Sequence, residues 1–539
     1  MKKQSFIKGS VILIASALIS KVIGALFKIP LTNMLGGIGM SCFGCAYGLF
    51  LPVYAITANG LTTAVAKLTA ESCAVGNYRN VRKIRNISLA IFSAAGLAGS
   101  VIIALLAFPF SENAASCPDA WLSVLVISPS VLLGCITAVY RGCCEGMSNM
   151  YPTAVSQIIE SAVRFIAGIG LCSYVLANPQ KVLPYLPQGT DITAAASAAA
   201  ILGISLSTLA GTLVMYIWNT DLEKCGINCQ PEPTRVISGK IFKIFIPVAL
   251  GAAVTNLTSV IDLTTIIRSL DKAVAAAPEY FKARFSISVT NDISEFFYGS
   301  FTGLAVTVFN LIPSVTNMFG KGILPSLSES FTVKDKFSIK HLTENVIKAT
   351  AFIAVPSGFG IFVLAAPILS FLFPERVAEC AVSAPSLSVL GIAVIFLSLS
   401  VPLFSCFQAA GRADIPVKLM LAGVIVKLLG NLTLIPVPRI NISGAAISTL
   451  LCYLAIFILC AIVYPKISGV KINFFKTLAP SLFSGIMCAA AAWLVYDNIP
   501  LDNKLSLPIA VLSGGIVYLL FSYLCGNLIF KKKHYNFKA

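Results

Sequence analysis

The chain has 539 residues, of which 57% are hydrophobic and only 11% are charged, and its mean hydropathy is +0.88. Soluble proteins carry about 25% charged residues, so this composition excludes an ordinary soluble domain and indicates an integral membrane protein. The formal net charge of +17 does not require nucleic acid as a partner, because basic loops on the cytoplasmic side of a membrane explain it.

Apolar segments of about 20 residues recur along the whole chain, each long enough to cross the roughly 30 Å hydrocarbon core of a bilayer. Lipid offers no hydrogen-bond partners to the backbone, so these segments form helices. The sequence therefore predicts an all-α integral membrane protein with fourteen transmembrane helices. These predicted helices 1 to 14 lie at 10–27, 47–70, 87–110, 120–140, 152–176, 193–218, 244–268, 298–319, 345–373, 385–409, 419–437, 444–464, 477–497 and 508–530.

Predicted helix 1 begins like a cleaved signal sequence, but its apolar run is long enough to favour a retained helix. Ala17, Lys21, Gly24 and Lys28 follow one another at helical spacing and share one face. A charge at the bilayer centre costs about 2.5–3.5 kcal/mol, so we expect this face to meet water or an anion. Lys21 and Lys28 are candidate substrate-binding residues, although Lys28 could equally extend to the headgroups.

Predicted helix 2 and the segment before it supply two short motifs. "CFGC" (Cys42, Cys45) has the spacing of a metal-binding pair but no second pair, and most of the sixteen cysteines lie in apolar helices, so we predict no metal site and no cofactor. "NGLTTAVAKLTAE" adds Asn59 and Lys67 as candidate substrate-binding residues. For Lys67, extension to the cytoplasmic surface is the favoured alternative.

Predicted helix 5 carries two charges within an apolar segment. Glu160 and Arg164 are four residues apart, so they lie on one helix face and can pair. The pair would hold Arg164 at membrane depth, as a candidate substrate-binding residue, with most of its charge compensated. A purely structural ion pair is the alternative.

An internal repeat indicates two similar lobes. "GMSNMYPTAVSQIIESAVRF" and "GRADIPVKLMLAGVIVKLLG" lead into predicted helices 5 and 11 through Pro152 and Pro416, and a basic residue, Arg164 or Lys427, follows each proline after twelve or eleven residues. We predict two pseudo-symmetric six-helix lobes, a pattern typical of alternating-access transporters. The predicted boundaries are 1–218 for the N-lobe, 219–243 for a basic cytoplasmic linker, 244–464 for the C-lobe, and 465–539 for helices 13 and 14 with a basic cytoplasmic tail.

The C-lobe has its own intramembrane charges. Asp262 in predicted helix 7 and Lys427 in predicted helix 11 are expected to form the element that corresponds to Glu160 and Arg164. Asn431, one helical turn after Lys427, could join Asp262 in a site for a coupling ion.

The basic residues orient the chain. Of the 39 Lys and Arg residues, 26 lie in or beside predicted cytoplasmic segments, nine lie outside and four lie within helices. This asymmetry predicts that both termini are cytoplasmic.

The intramembrane charges do not balance. Four basic residues face two carboxylates, which leaves a surplus of two positive charges: Lys21, Lys67, Arg164 and Lys427 against Glu160 and Asp262. A diphosphate group complements this charge and would accept charge-assisted hydrogen bonds. Cationic drugs would be repelled.

Several blocks resemble a known family. They are "ISKVIGALFKIPL", "NGLTTAVAKLTAE", "YRGCCEGMSNMYPTAVSQIIESAVR", "SVIDL", "FYGSFTGLAVTVFNLIPSV" and "CFQAAGRADIPVKLMLAGVIVKLLGNLTLIPVP". The chain resembles the stage V sporulation protein B and MurJ-type lipid-linked glycan flippases, in the superfamily that includes the MATE multidrug exporters. The resemblance covers nearly the whole chain.

The resemblance implies a membrane flippase. Its cargo would be an undecaprenyl-diphosphate-linked sugar precursor, similar to lipid II or a polysaccharide repeat unit, moved from the inner to the outer leaflet for cell-wall, sporulation or polysaccharide biosynthesis. Helices 13 and 14 would form a groove for the lipid tail. Lys21 matches one of the family's two cationic positions in helix 1, and Lys28 is displaced by one residue from the other.

Some family members bind sodium between helices 7, 11 and 12 through carboxylates and amide oxygens. Asp262 and Asn431 are present in this chain, but Lys427 lies in predicted helix 11 and no carboxylate does. We therefore expect the lysine ammonium to take the electrostatic role of the ion.

Two other functions remain open on the sequence. A MATE-like cation-coupled multidrug exporter should have an acidic cavity. A membrane glycan polymerase or ligase would need catalytic groups in an outer loop, and the loop at 269–297 has four acidic residues but no histidine and no paired-carboxylate motif. We predict a transporter of the cell membrane rather than an enzyme, with a lipid-linked oligosaccharide diphosphate, membrane lipids and cell-wall synthesis proteins as partners.

Overall fold

The computed structural model describes residues 6–185, 187, 191–218, 230–285, 293–499 and 502–525, and all regular structure in these ranges is helical, which confirms the all-α membrane class. The α-helices are α1 (Phe6–Ala74), α2 (Tyr78–Pro109), α3 (Trp121–Ile127), α4 (Pro129–Gly146), α5 (Tyr151–Ala177), α6 (Pro179–Val182), α7 (Ile192–Trp218), α8 (Thr234–Ala276), α9 (Pro278–Phe285), α10 (Ile293–Ser300), α11 (Val306–Phe309), α12 (Leu311–Val333), α13 (Lys336–Val363), α14 (Ala365–Leu372), α15 (Val377–Ala409), α16 (Asp414–Leu434), α17 (Ser443–Ser468), α18 (Phe474–Asn498) and α19 (Asn503–Leu524). Two π-helical turns, Phe110–Ala114 and Phe301–Ala305, and two 3₁₀ turns, Pro118–Ala120 and Leu183–Tyr185, interrupt them.

Helix α1 folds back on itself at Gly36, whose φ of 65° and ψ of −167° lie in a region that essentially only glycine adopts. Phe27 and Phe43 would be about 24 Å apart along a straight helix, yet their ring centroids are 6.3 Å apart. The two halves of α1 therefore pack side by side. An aromatic row then continues along the second half, from Phe43 through Tyr47 and Phe50 to Tyr54.

The predicted number of fourteen membrane crossings is not confirmed. Within the described residues, twelve helices are long and apolar enough to cross a membrane, or thirteen if Ile293–Phe309 and Leu311–Val333 form one bent span. The first of these candidates is the 60-residue stretch Ala15–Ala74. Its fold-back at Gly36 explains why two predicted crossings are joined in one continuous element.

Helix α2 shows the inside-out pattern of a lipid-facing helix. Its buried face is rich in small and polar residues, whereas large apolar residues are exposed on the other side. The buried face includes Ser88, Gly96 and Ser100, and the exposed face includes Leu105 and Leu106. Small residues allow helices to approach closely in a membrane, and lipid covers the apolar face.

The chain divides into two compact units. Unit 1 comprises residues 1–307 and 431–442, and unit 2 comprises residues 308–430 and 443–539. The lobe boundaries expected from the repeat stay a prediction. One part of the predicted linker is corrected, because α8 begins at Thr234 rather than at residue 244, and 234–243 is therefore helical.

Each unit has its own apolar core. In unit 1 one cluster joins both halves of α1 to α2, α3, α4, α5 and α7, with Leu31 and Ala200 fully buried. In unit 2, Leu364, Ala492, Leu507 and Ala510 bury one another where α14, α18 and α19 meet. The core of unit 1 surrounds the charged residues of α5.

Candidate functional site

The predicted contact between Glu160 and Arg164 is present in unit 1. Both residues lie on α5, and the Arg164 Nη2 atom is 3.4 Å from Glu160 Oε1. The side chain of Glu160 is 10% exposed and that of Arg164 is 24% exposed. The apolar sequence of α5 therefore buries a charged pair, as its four-residue spacing predicted.

Arg141 of α4 makes the shorter ion pair with Glu160, and the sequence did not predict it. Its Nη2 atom is 2.8 Å from Glu160 Oε2, and its side chain is only 12% exposed. The same guanidinium donates to Ser156 Oγ from Nη2 at 2.6 Å and from Nε at 3.1 Å. A carboxylate on α5 thus joins α4 to α5 through a charge-assisted hydrogen bond.

Arg141 lies within a helix rather than after one. Predicted helix 4 ended at residue 140, whereas α4 continues to Gly146. The small residues and cysteines that follow Arg141 in "YRGCCEG" are buried rather than in a loop. This adds one cation, Arg141, and one carboxylate, Glu145, to the charges counted within helices.

Helix α7 packs against the remaining side of the Glu160 carboxylate. A Cβ atom at Gly211 would lie 3.2 Å from Glu160 Oε2 and 3.6 Å from Glu160 Cβ, so the glycine leaves just enough space for the acid. Glu160 is therefore surrounded by α4, its own helix α5 and α7. Water is largely excluded, which strengthens the attraction between the three charged groups.

The cluster contains a donor without an acceptor among the described residues. Glu160 contacts both guanidinium groups, Glu145 of α4 attracts Arg141 from further away, and Arg164 Nε is a buried atom with no hydrogen-bond partner in the part of the chain that the structure describes. Buried donors are normally paired. This arrangement can accept a negatively charged group beside Arg164.

The first half of α1 packs against the same helix. Ser16 Oγ lies 3.2 Å from Gln157 Oε1, and Ser20 Oγ donates to the Gln157 backbone oxygen at 3.1 Å. Gln157, Glu160 and Arg164 follow one another at helical spacing on α5. The serine face of α1 is thus held on the charged side of α5.

The predicted cationic face of α1 lies away from that contact. Lys21 is exposed, and a Cβ atom at Gly24 would meet no atom within 4 Å. Lys28 is half-buried. The open space is thus at Gly24, and the roles of Lys21 and Lys28 in binding stay predictions.

Two further candidate residues, Asn59 and Lys67, lie on the second half of α1. Lys67 is exposed, seven residues before the end of α1. The side chain of Asn59 lies outside the part of the chain that the structure describes. Neither residue is placed beside the Glu160 cluster by any hydrogen bond or ion pair among the described contacts.

Asp262 and Asn431 come together in unit 1, as the predicted ion site requires. Asn431 Nδ2 donates to Asp262 Oδ1 at 3.1 Å and to Thr265 Oγ1 at 2.9 Å, and Asn431 is fully buried. Thr265 was not predicted. It lies on α8, three residues after Asp262. The amide presents its nitrogen, a donor, whereas a sodium ion would need the amide oxygen.

Lys427 is buried in unit 2, with only 4% of its surface exposed. It lies on α16 one helical turn before Asn431. Its pairing with Asp262 stays a prediction.

The described residues contain no group of three or more His, Cys, Asp or Glu side chains arranged to hold a metal ion. A cavity of about 210 Å³ lies in unit 1 beside Asn80, Glu232 and Lys240. Its polar groups already bond one another, with Lys240 Nζ 2.7 Å from Glu232 Oε1 and Glu232 N donating to Asn80 Oδ1, which indicates that residues 230–240 are simply docked there.

Solved structures with this fold are membrane transporters. A lipid II flippase MurJ in an inward-closed conformation matches with a TM-score of 0.64 and 15% identity, covering 95% of this chain and 98% of that chain. An inward-facing MATE multidrug resistance transporter of the MOP superfamily matches with a TM-score of 0.66 and 12% identity, covering 85% and 98%. The fold is therefore that of a multi-pass membrane transporter.

The family follows from the sequence comparisons. The family model "Lipid II flippase MurJ" matches residues 78–499. Stage V sporulation protein B of Bacillus subtilis (strain 168) is 23% identical over 96% of this chain and 95% of its own length, and lipid II flippase MurJ of the same organism is 24% identical over 97% and 96%. The chain belongs to the lipid II flippase MurJ family, which confirms the resemblance seen in its motifs.

Proposed function

We propose that this protein moves a lipid-linked sugar diphosphate from the inner to the outer leaflet of the cell membrane. The observation that carries the proposal is the buried cluster of unit 1, in which Arg164 Nε has no acceptor among the described residues and the Arg164 guanidinium contacts Glu160 only at 3.4 Å. A diphosphate supplies an acceptor and a negative charge beside Arg164. The name of one Bacillus relative, lipid II flippase MurJ, agrees with such a cargo.

The chemistry of arginine favours this cargo. A guanidinium group is planar, stays charged and presents several donors that match phosphate oxygens, so it holds a phosphate without depending on pH. Arg141 already donates hydrogen bonds to Ser156 and Glu160. Arg164 is therefore the guanidinium group that would bind the diphosphate. Lys21 would add a mobile cation from α1, and the sugar would be carried in the water-filled space beside it.

The mechanism we propose is alternating access. The diphosphate enters from the cytoplasmic leaflet, adds negative charge beside Arg164 and thereby makes the loaded site less costly to close off from water. Opening to the outer side rehydrates the phosphate and the arginine, which weakens their contact. In this proposal both chain termini are cytoplasmic, as the distribution of basic residues predicts.

The alternative, export of cationic drugs, draws on the likeness to the MATE transporter. That likeness concerns the fold, which many different cargoes can share. The sign of the charge argues against it, because a cationic drug would approach two guanidinium groups with a single carboxylate between them. A glycan polymerase or ligase has less support, since the chain belongs to a transporter family.

The test is genetic rescue combined with a leaflet assay. The gene is expressed in cells depleted of their own lipid II flippase, and outer-leaflet lipid II is measured by cleavage with an externally added enzyme. We expect the unmodified protein to restore growth and exposure, and Arg164→Gln to lose both at equal abundance. Failure of the unmodified protein, together with resistance to cationic dyes, would replace the proposal with the drug-export function.

A further inference from the structure

Three cysteine thiols meet at one end of unit 1. Cys42 and Cys45 lie on the second half of α1, shortly after the break at Gly36, and Cys117 lies in the connection before the 3₁₀ turn Pro118–Ala120. The Sγ atoms of Cys42 and Cys117 are 3.9 Å apart, and the Cys45 thiol is also hydrogen-bonded to Cys117. All three side chains are fully buried. The two cysteines of "CFGC" are therefore joined by a third thiol, that of Cys117, which lies 72 residues after Cys45 and was not predicted from the sequence.

An acid and a hydroxyl group complete the cluster. Cys117 Sγ donates to Glu295 Oε2 at 3.1 Å, and Ser41 Oγ lies 3.2 Å from the same sulfur. The Cys117 proton thus already points at a carboxylate. Hydrogen bonds from Cys42 and Cys45 hold the pKa of the Cys117 thiol below its ordinary value, which favours the reactive thiolate.

The connection that carries Cys117 is not a regular helix, and backbone hydrogen bonds such as Cys117 N to Ser111 O hold it. Ser116 has a φ of 52°, in the left-handed region that side chains other than glycine rarely adopt. The π-helical turn Phe110–Ala114 precedes it. Two sulfur atoms in a disulfide are about 2.05 Å apart, so closing the gap from Cys42 needs a shift of roughly 2 Å in this short connection. Local opening of such connections costs far less than opening a packed helix.

We propose that Cys42, Cys45 and Cys117 form a thiol–disulfide site, in which Cys117 bonds reversibly to Cys42 and Cys45 is the alternative partner. The reactant is a small disulfide such as oxidised glutathione. The Cys117 thiolate, its proton passed to Glu295, attacks one sulfur of that disulfide and releases one thiolate. Cys42, on losing its proton, then attacks the mixed disulfide at Cys117 and releases the second thiolate. Two protein thiols are oxidised to one disulfide and one small disulfide is reduced to two thiols.

The position of the site suits this chemistry. With the N-terminus cytoplasmic, as proposed above, the end of unit 1 that carries Gly36 and Cys117 faces outward, where disulfides form and persist. A bond between Cys117 and Cys42 would fasten the connection that follows the π-helical turn to the second half of α1. The groups are not arranged as a metal site within the described part of the chain, which leaves exchange between thiols as their chemistry.

The test uses the purified full-length protein in detergent and does not depend on transport. The protein is incubated with oxidised glutathione, free thiols are blocked with a light maleimide, and oxidised ones are reduced and labelled with a heavy maleimide before mass spectrometry. We expect oxidation at Cys42 and Cys117 to exceed that at Cys143 and Cys144 by on the order of tenfold, because those two buried thiols of α4 have no such acid partner. Without reduction, a peptide joining Cys42 to Cys117 should be found.

Variants separate the three thiols. Cys117→Ser should abolish oxidation at Cys42 and Cys45, whereas Cys42→Ser should redirect the bond to Cys45 and Cys117. The proposal is overturned if Cys117 remains a thiol while the unmodified protein is folded, if it forms only a glutathione adduct, or if Cys42 and Cys45 oxidise equally well in Cys117→Ser. Because the labelling needs no cargo, its result is independent of the rescue experiment for the flippase function.

Discussion

At the scale of single residues, Glu160 decides the stability of the charged cluster. It is the acceptor for Arg141 and for Arg164, at 2.8 and 3.4 Å, and all three side chains are mostly buried. Removing one partner of a buried ion pair leaves a charge without compensation, which typically costs about 3–5 kcal/mol. Glu160 therefore contributes more to the free energy of folding than either arginine does alone.

We predict that Glu160→Gln lowers the abundance and thermal stability of the protein, and that a second change at Arg141 restores more of the loss than one at Arg164. Arg141 is the more buried arginine, so its charge is the more costly one to leave unpaired. The measurement is fluorescence-detected size exclusion after heating in detergent. Glu344→Gln is the control, because its contact with Lys340 is 4.0 Å long and the Lys340 side chain is 51% exposed. Losses in the double variants that equal the sum of the losses in the single variants would show that the charges act independently.

Lys21 tests the open face of α1. Lys21→Ala should leave membrane insertion intact, since removing a charge eases insertion, but should abolish rescue of flippase-depleted cells because a phosphate partner is lost. Lys21→Arg keeps the charge and should retain part of the function. The outcome against this role would be full rescue by Lys21→Ala at normal abundance.

At the scale of helices, α5 and α7 are held together by glycines as much as by charge. A Cβ atom at Gly203 would lie 2.4 Å from Gly168 Cα, so the two backbones touch. This close approach of α7 to α5 also places Gly211 against Glu160, so that α7 forms one side of the charged cluster.

Gly203→Ala should therefore destabilise the protein by roughly 1–3 kcal/mol, the usual cost of overpacking. The matched control is Gly170→Ala on α5, where a Cβ atom would meet nothing within 4 Å. There we expect no loss of stability, because alanine favours a helix over glycine. The same heating assay compares the two variants. Equal midpoints would mean that the helices can separate at Gly203 without cost.

The elements also show what the sequence could and could not predict. Hydrophobic length predicted the helices, and the four-residue spacing predicted the contact of Glu160 with Arg164, because both depend on neighbours along one helix. Arg141 and Cys117 were missed because their partners lie on other helices, 19 and 178 residues away for Glu160 and Glu295. The end of α4 was placed six residues too early, and Arg141, just after the predicted end, pairs with Glu160 inside the protein.

At the scale of the whole molecule, transport needs an energy source, and the Asp262 contact bears on which one. The side-chain nitrogen of Asn431 donates one hydrogen bond to Asp262 Oδ1 and another to Thr265 Oγ1. Sodium needs oxygen ligands, so this amide orientation opposes an ion at that atom. Lys427, buried one turn earlier on α16, supplies a fixed positive charge in the same helix.

We predict that transport by the unmodified protein is independent of external sodium and that Lys427→Ala is inactive. Asn431→Asp should behave differently, because a second carboxylate would face Asp262 across about 3.1 Å, and two carboxylates so close repel unless a cation or a proton lies between them. This variant should gain a requirement for sodium or for low pH. The measurement is exposure of the glycan lipid on the outer leaflet in sodium-free and sodium-rich media, at fixed ionic strength and membrane potential. A strong sodium dependence of the unmodified protein would show instead that Asn431 turns its oxygen to an ion and that Lys427 does not replace it.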